Sequence, residues 1–213
     1  MVRPMTNRRA RLLITPSLLN SWKYIWESPK AVRESESDEV SLEDKMEAAG
    51  GRAMEEFLKA LARERTPATE AQMRGIEYER ETYLGRTPAS PYVEGGEWQV
   101  VGMRRKEILG IPFLLYGRLD CLKCGIVYDI KRVGRYSAQK YLRSSQHKAY
   151  LDLFPSAYAF EYLADDGRRL HRERYYRDEL GGGIDEDIAH FAKWLEAKGL
   201  FEEYASKWKA KGE

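Results

Sequence analysis

Cysteine is nearly absent from this 213-residue chain, which holds Cys121 and Cys124 alone. Two thiols build no disulfide framework and fall short of the roughly four protein ligands that a structural zinc or iron–sulfur centre takes. Histidine is scarce as well, three in all, and His147 has no second histidine near it at ligand spacing, so it reads as a surface or capping residue. No apolar run approaches the roughly 20 residues that cross a bilayer, and the arginine-dotted N-terminus lacks the apolar stretch of a secretory signal. These absences predict a soluble, intracellular protein in a reducing compartment, with no membrane partner and no iron–sulfur cluster. Internal repeats and low-complexity tracts are also missing. What is present is ordinary: 43% hydrophobic and 33% charged residues exclude wholesale disorder and a fibrous repeat. The length suits one domain with a helical arm.

The net charge of +2 conceals an uneven distribution. Glu34, Glu36, Asp38, Glu39, Glu43, Asp44 and Glu47 stand against Lys45 alone and read as a solvated acidic connector. From Ile130 to Leu151 the chain carries Lys131, Arg132, Arg135, Lys140, Arg143 and Lys148 with no Asp or Glu, interleaved with Tyr136, Tyr141 and Tyr150. That composition suits a polyanion, and it equally describes a solvated helix face.

Thr15 and Pro16 are an N-cap and a first helical residue, opening a helix to about Trp26 whose Leu18, Leu19, Trp22 and Trp26 recur at core spacing. Further helices are expected over Ser41 to Glu64 and Thr69 to Leu84. Three sequential antiparallel strands then follow, Trp98 to Ile108, Phe113 to Cys121 and Ile126 to Val133. A helix from Ser137 to Phe154, strands Tyr158 to Ala164 and Leu170 to Tyr176, and a last helix capped by Asp185 complete the pattern. The organisation expected is a single domain over 1–213, with a helical N-terminal segment to 68, a core over 69–180 and a C-terminal helix over 184–210.

Chemistry concentrates in one hairpin. Asp120 ends one strand, and Asp129 and Lys131 share a face of the next. Two carboxylates within reach of each other suit a hard divalent cation, and a neighbouring lysine can serve the attacking water or the phosphate. An amphipathic hairpin turned to solvent has the same spacing. Ile126, Val127, Ile130 and Val133 weigh against it, because they make the strand apolar on both faces, where a charge needs a purpose. On the preceding helix Glu79 shares a stripe with Met73, Ile76 and Tyr83 and so leans toward the core, while Gly75 suggests a close approach one turn earlier. All three glutamates there, Glu77, Glu79 and Glu81, can also be surface residues. Gln146 and Tyr150 stand one turn apart on a helix, inside the acid-free run that ends at Leu151, placed to hold a phosphate or a base edge.

In order, Gly75-x-x-x-Glu79, Gly117-x-x-Asp120, Asp129-x-Lys131 and Gln146-x-x-x-Tyr150 resemble the four motifs of the PD-(D/E)XK nuclease superfamily. The likeness is to its RecB-type and lambda-exonuclease-type branch, which includes CRISPR-adaptation exonucleases and many phage nucleases. It spans residues 75 to 150, and Thr15-Pro16-Ser17-Leu18-Leu19 resembles the branch's opening helix. The resemblance implies an α/β, restriction-endonuclease-like core, a central mixed β-sheet flanked by helices. It further implies Mg2+ or Mn2+ held by Glu79, Asp120 and Asp129, with Lys131 serving the nucleophilic water. Gln146 and Tyr150 would contact DNA, with Arg132, Arg135, Lys140, Arg143 and Lys148 along the strand. Leu119 replaces the proline often found before the first strand acid, and neither the histidine nor the iron–sulfur cysteines of some members are present. The activity implied is that of a bacterial or phage-encoded deoxyribonuclease, an exonuclease of DNA end processing, recombination or repair. The alternative is an inactive nuclease-fold module that binds nucleic acid or a protein, and RNA is a substrate for the same chemistry.

Overall fold

The computed structural model describes residues 11–31, 54, 55, 57–64 and 67–210. The acidic stretch from Glu34 to Glu47 and most of the helix expected over Ser41 to Glu64 lie outside the described residues. Of that helix, 57–61 is helical and buries Phe57 and Leu61.

The first described element was not anticipated. Strand β1 (Leu12–Ile14) lies parallel to a later strand, so the N-terminal segment is not wholly helical. Three residues are too few to carry a readable alternation. Thr15 then caps helix α1 (Pro16–Ala31), its Oγ1 accepting from the Leu18 N–H at 3.2 Å. The helix passes Pro29 and ends at Ala31 rather than stopping near Trp26. Leu18, Leu19 and Trp22 are buried, as expected of core residues.

Helix α2 (Glu70–Tyr83) starts from a full capping box, Thr69 with Gln72. After the short helix α3 (Ser90–Val93) come β2 (Glu97–Trp98), β3 (Val101–Ile108), β4 (Ile111–Arg118), β5 (Cys121–Lys123) and β6 (Ile126–Arg132). Leu109-Gly110 and Cys124-Gly125 have positive φ at both positions, the geometry of tight two-residue hairpins. The two expected strands before β6 are each interrupted. One breaks at Gln99-Val100, between β2 and β3, and the other at Leu119-Asp120, between β4 and β5. The breaks face one another and stay bonded, the Gln99 N–H donating to the Asp120 carbonyl at 2.9 Å and the Leu119 N–H to the Val100 carbonyl at 3.0 Å.

This jointed ribbon therefore serves two sheets in place of the one central sheet expected. The first has the order β1-β4-β3. The second runs β2-β5-β6-β7-β8, with β7 (Ala159–Asp165) parallel to β6 and β8 (Leu170–Tyr176) antiparallel to β7. The molecule is a mixed α/β fold with two mixed sheets flanked by helices. Every residue of β6 from Ile126 to Ile130 is buried, because the strand supplies two cores. Val127 faces a large core with Phe160, Tyr162, Phe191 and Tyr204, whereas Ile126, Tyr128 and Ile130 face a smaller one with Val93, Cys121 and Leu163.

The single helix expected from Ser137 to Phe154 is two, α4 (Ala138–Leu142) and α5 (Gln146–Leu153). Asn20 Oδ1 accepts from the Ser145 N–H at 2.8 Å, and Ser145 Oγ donates to Asp187 at 2.8 Å, which fixes the break. The C-terminal helix likewise divides into α6 (Ile184–Ala197) and α7 (Phe201–Lys207) at Gly199, where φ is +68°. Asp185 makes no N-cap bond, and instead pairs with Lys106 at 2.5 Å. Among the described residues no helix is long and apolar enough to cross a membrane.

Helix α5 lies directly on the first sheet because two cross-strand partners, Gly102 and Gly117, have no side chains. A Cβ at Gly117 would sit 2.8 Å from Leu153 and 2.9 Å from Tyr150, and one at Gly102 would sit 2.9 Å from Phe154. Gly75 is different. Nothing lies within 4 Å of its missing Cβ, so the close approach expected there is absent among the described residues. Gly117→Ala should lower unfolding stability by about 1–3 kcal/mol through overpacking. Gly75→Ala should raise it by about 0.4–1 kcal/mol through helix propensity and chain entropy. Urea denaturation of the two variants checks both signs.

Candidate active site

The site forms where the jointed ribbon meets β6. Cys121 pairs with Tyr128, and one further step of that register sets Asp120 opposite Asp129. There β4 turns away and leaves the Ile130 N–H without a strand partner. Asp120 Oδ2 accepts it at 2.8 Å, which fixes the first acid. Asp129 and Lys131 both point to the large-core face, where the Asp129 Oδ2 to Lys131 Nζ distance is 2.9 Å. The Asp129 side chain is 6% exposed and that of Lys131 is 39%, so the ammonium reaches from a buried anion toward solvent. Gln146, at the start of α5, donates to Asp129 Oδ1 at 3.2 Å. Asp129 Oδ2 is buried and makes no well-directed hydrogen bond.

Glu79 arrives from α2, half-buried, and its Oε1 accepts from Gln99 Nε2. The expected reason for its orientation fails. Met73, Ile76 and Tyr83 are 55%, 60% and 63% exposed, so that stripe faces outward, and the helix packs through Tyr78 and Thr82 instead. Periodicity found an apolar face but could not tell which face the sheet would cover. Gln99 was not anticipated either. It sits at the joint with φ +55°, a left-handed conformation unusual for a side chain of its size, and no spacing rule marks it.

The electrostatics bind these groups into one unit. Burial pushes Asp129 up to about 7, with Lys131 opposing and Asp120 and Glu79 adding to the rise. Burial also raises Asp120 against the opposing effects of Lys131, the Ile130 N–H and Arg118. Glu79 is raised by burial and by Asp120, and lowered by Lys131, Arg118 and Gln99. Burial pulls the Lys131 ammonium down, but Asp129 and Asp120 outweigh it and hold it above its ordinary value. Arg118, exposed and next in line before Leu119-Asp120, thus joins the site as a second cation that the motif spacing did not flag.

The remaining site residues divide. Tyr150 is 7% exposed and donates its hydroxyl to the Arg118 carbonyl at 2.7 Å, which anchors α5 to β4 rather than offering a phenol at the surface. Arg132 pairs with Asp165 at 2.8 Å, and Lys148 is half-buried with its Nζ 3.9 Å from Asp187. Acids from β7 and α6 therefore offset part of a run that has none of its own. Arg135, Lys140 and Arg143 are exposed. His147 is not at the surface. It is 2% exposed and stacked on Tyr175 with ring centroids 4.3 Å apart, and burial, with Lys148 and Lys23, lowers it to about 4.

Among the described residues no group of three or more His, Cys, Asp or Glu side chains is arranged to hold a metal ion as it stands. The donor chemistry nonetheless fits a hard cation at Asp120 and Asp129. Both are oxygen ligands whose charged forms burial disfavours, and Asp129 Oδ2 has the Lys131 ammonium at 2.9 Å as its partner without a well-directed hydrogen bond.

No family model matches this chain, and no curated protein does. Among solved structures it is similar to one described as the crystal structure of SSO0001, at 15% sequence identity and a TM-score of 0.52. That similarity covers 91% of this chain and 80% of the other. It speaks for the fold alone.

A carboxyl raised in the folded state binds more protons than the unfolded chain between its two pKa values, so it lowers stability as pH rises through that window. For Asp129 the window runs from its ordinary value of 3.8 to about 7. In EDTA the parent should lose stability relative to Asp129→Asn across this range, at most by about 1 kcal/mol per pH unit and most steeply in its middle. Denaturation midpoints of the two proteins between pH 4 and pH 8 check it.

Proposed function

We infer that this chain is a metal-dependent nuclease hydrolysing DNA phosphodiester bonds, built on a restriction-endonuclease-like core. The observation that carries the reading is Asp129. Its carboxylate is buried, and the oxygen that makes no well-directed hydrogen bond, Oδ2, lies 2.9 Å from the Lys131 ammonium on the same strand face. A buried carboxylate costs free energy unless it is compensated, and Lys131 and Gln146 supply part of that compensation, to which a divalent cation would add. The four-part resemblance to PD-(D/E)XK nucleases supports the assignment independently of the geometry.

A magnesium or manganese ion held by Asp120 and Asp129, with Glu79 as a further oxygen donor, would stabilise charge on the phosphoryl oxygens and acidify a bound water. The chain's own residues do the rest. Lys131 offers its exposed end to the phosphate or the attacking water while its other contact orients Asp129. Gln146 fixes the Asp129 carboxyl in one rotation by donating to its second oxygen. Arg135, Lys140 and Arg143 lie on the surface after β6, where they would neutralise phosphates along the strand. The activity inferred is that of an end-dependent exonuclease acting in DNA processing.

One observation favours a second reading, a nuclease-fold module that binds without cutting: the lack of a ready three-acid group among the described residues. Incubation with linear and circular DNA, with magnesium or manganese and with EDTA, separates the two. The enzyme should degrade linear DNA only with metal, and Asp129→Asn and Lys131→Ala should each cut at least about 100-fold more slowly with an unchanged circular dichroism spectrum. Equal rates for parent and variants would refute the assignment. Salt-sensitive binding with no cleavage would select the module.

A further inference from the structure

One turn beyond Glu79 is a cavity of about 600 Å³ that the hydrolytic chemistry does not use. Its walls come from the elements that carry the site. Tyr83 lies one turn beyond Glu79 on α2, and Trp98 directly precedes Gln99, the partner of Glu79. The Tyr83 and Trp98 rings meet edge to face, with centroids 5.2 Å apart and an interplanar angle of 88°. Tyr83 is 63% exposed at the mouth, so its ring is largely uncovered by protein.

The chemistry of the lining selects the occupant. No Lys or Arg lines the cavity, and its one charged residue is Glu94, so a phosphate is disfavoured. The hydroxyls of Thr82, Thr87 and Ser90 satisfy one another and neighbouring backbone groups, leaving the aromatic rings as the principal free recognition surface. Gly95, with φ +74° and nothing within 4 Å of its missing Cβ, leaves main chain bare on the same wall. A neutral, flat heterocycle with exocyclic amino or carbonyl groups matches aromatic faces, bare backbone and a carboxylate. The volume falls in the range of small-ligand sites.

We propose that this cavity takes up an unpaired nucleobase of the strand being cut, stacked on the exposed ring of Tyr83 with its edge toward Trp98, which makes the preferred substrate a single-stranded or frayed end. The proposal rests on the nucleic-acid reading above and adds to it a base subsite on the Glu79 side of the acids. Stacking tolerates any base, because each has an aromatic face, so the subsite registers strandedness rather than sequence. A blunt, fully paired end offers no free base and gains nothing from it.

The test separates binding from cleavage. Short oligonucleotides containing 2-aminopurine, single-stranded DNA, single-stranded RNA and blunt duplex DNA, are titrated with the full chain in EDTA, where no metal-dependent turnover occurs. The proposal expects quenching of 2-aminopurine in single strands and little in the duplex. Tyr83→Ala should weaken single-strand binding about 10-fold or more, and Tyr83→Phe, which keeps the ring, should bind like the parent. Tyr83 is exposed, so its variants fold, and circular dichroism verifies this. Equal quenching of DNA and RNA supports base stacking without sugar discrimination, whereas a preference for either strand type adds a sugar contact to the same site. Parent-like single-strand affinity in Tyr83→Ala, or no quenching by the parent, overturns the subsite even if metal-dependent cutting is seen. Stacking without cutting under magnesium or manganese upholds the subsite and removes the nuclease assignment instead.

Discussion

The contact between the Asp129 carboxylate and the Lys131 ammonium governs the rest of the candidate site. Both belong to a strand otherwise committed to hydrocarbon, with Val127 feeding one core and Ile126, Tyr128 and Ile130 the other. An ionised acid in such a place is stable only while something positive stays close. Lys131 fills that role from the same face two residues on, and its partly solvated end keeps the pair in contact with the surface. The surrounding polar groups then have defined places. Gln146 holds one Asp129 oxygen, Asp120 is held by the Ile130 backbone, and Glu79 is met by Gln99.

Access to this pair depends on how closely helix α5 can approach the sheet. Gly102 and Gly117 face each other across β3 and β4 and present a smooth surface against which Leu153, Phe154 and Tyr150 settle. The Tyr150 hydroxyl closes on the Arg118 carbonyl, and the helix start carries Gln146 to Asp129. Gly117 in the motif thus has a packing reason: its missing side chain is the space that Leu153 and Tyr150 occupy. Behind the helix, Lys23, Ser145 and Asp187 form a buried polar knot that pins the turn before Gln146.

Much of this could be read from residue order, and the parts that could not have identifiable causes. Thr15-Pro16 announces its helix, and the doubly apolar β6 announces a buried strand, because caps and alternation are local properties. The apolar stripe of Met73, Ile76 and Tyr83 misled, since periodicity gives a face but not what covers it, and Tyr78 and Thr82 turned out to face the protein. His147 misled in a similar way, its burial being decided by Tyr175 on a distant strand. The helix break at Ser145 depends on Asn20 and Asp187, each far away in sequence. Gln99 and Arg118 enter the site through the joint between the sheets, which arises from strand pairing and leaves no mark in composition. The basic run read as uniformly available is partly neutralised by Asp165 and Asp187, partners that a linear count cannot assign.

That joint has a mechanical consequence. The ribbon passes from one sheet to the other at the residues that carry Asp120 and Gln99, and paired backbone bonds keep its two strands locked through the bend. The change from the three-stranded sheet to the five-stranded one is therefore made at these two positions. The angle between the sheets thus fixes where Asp120 and, through Gln99, Glu79 stand relative to Asp129 on β6.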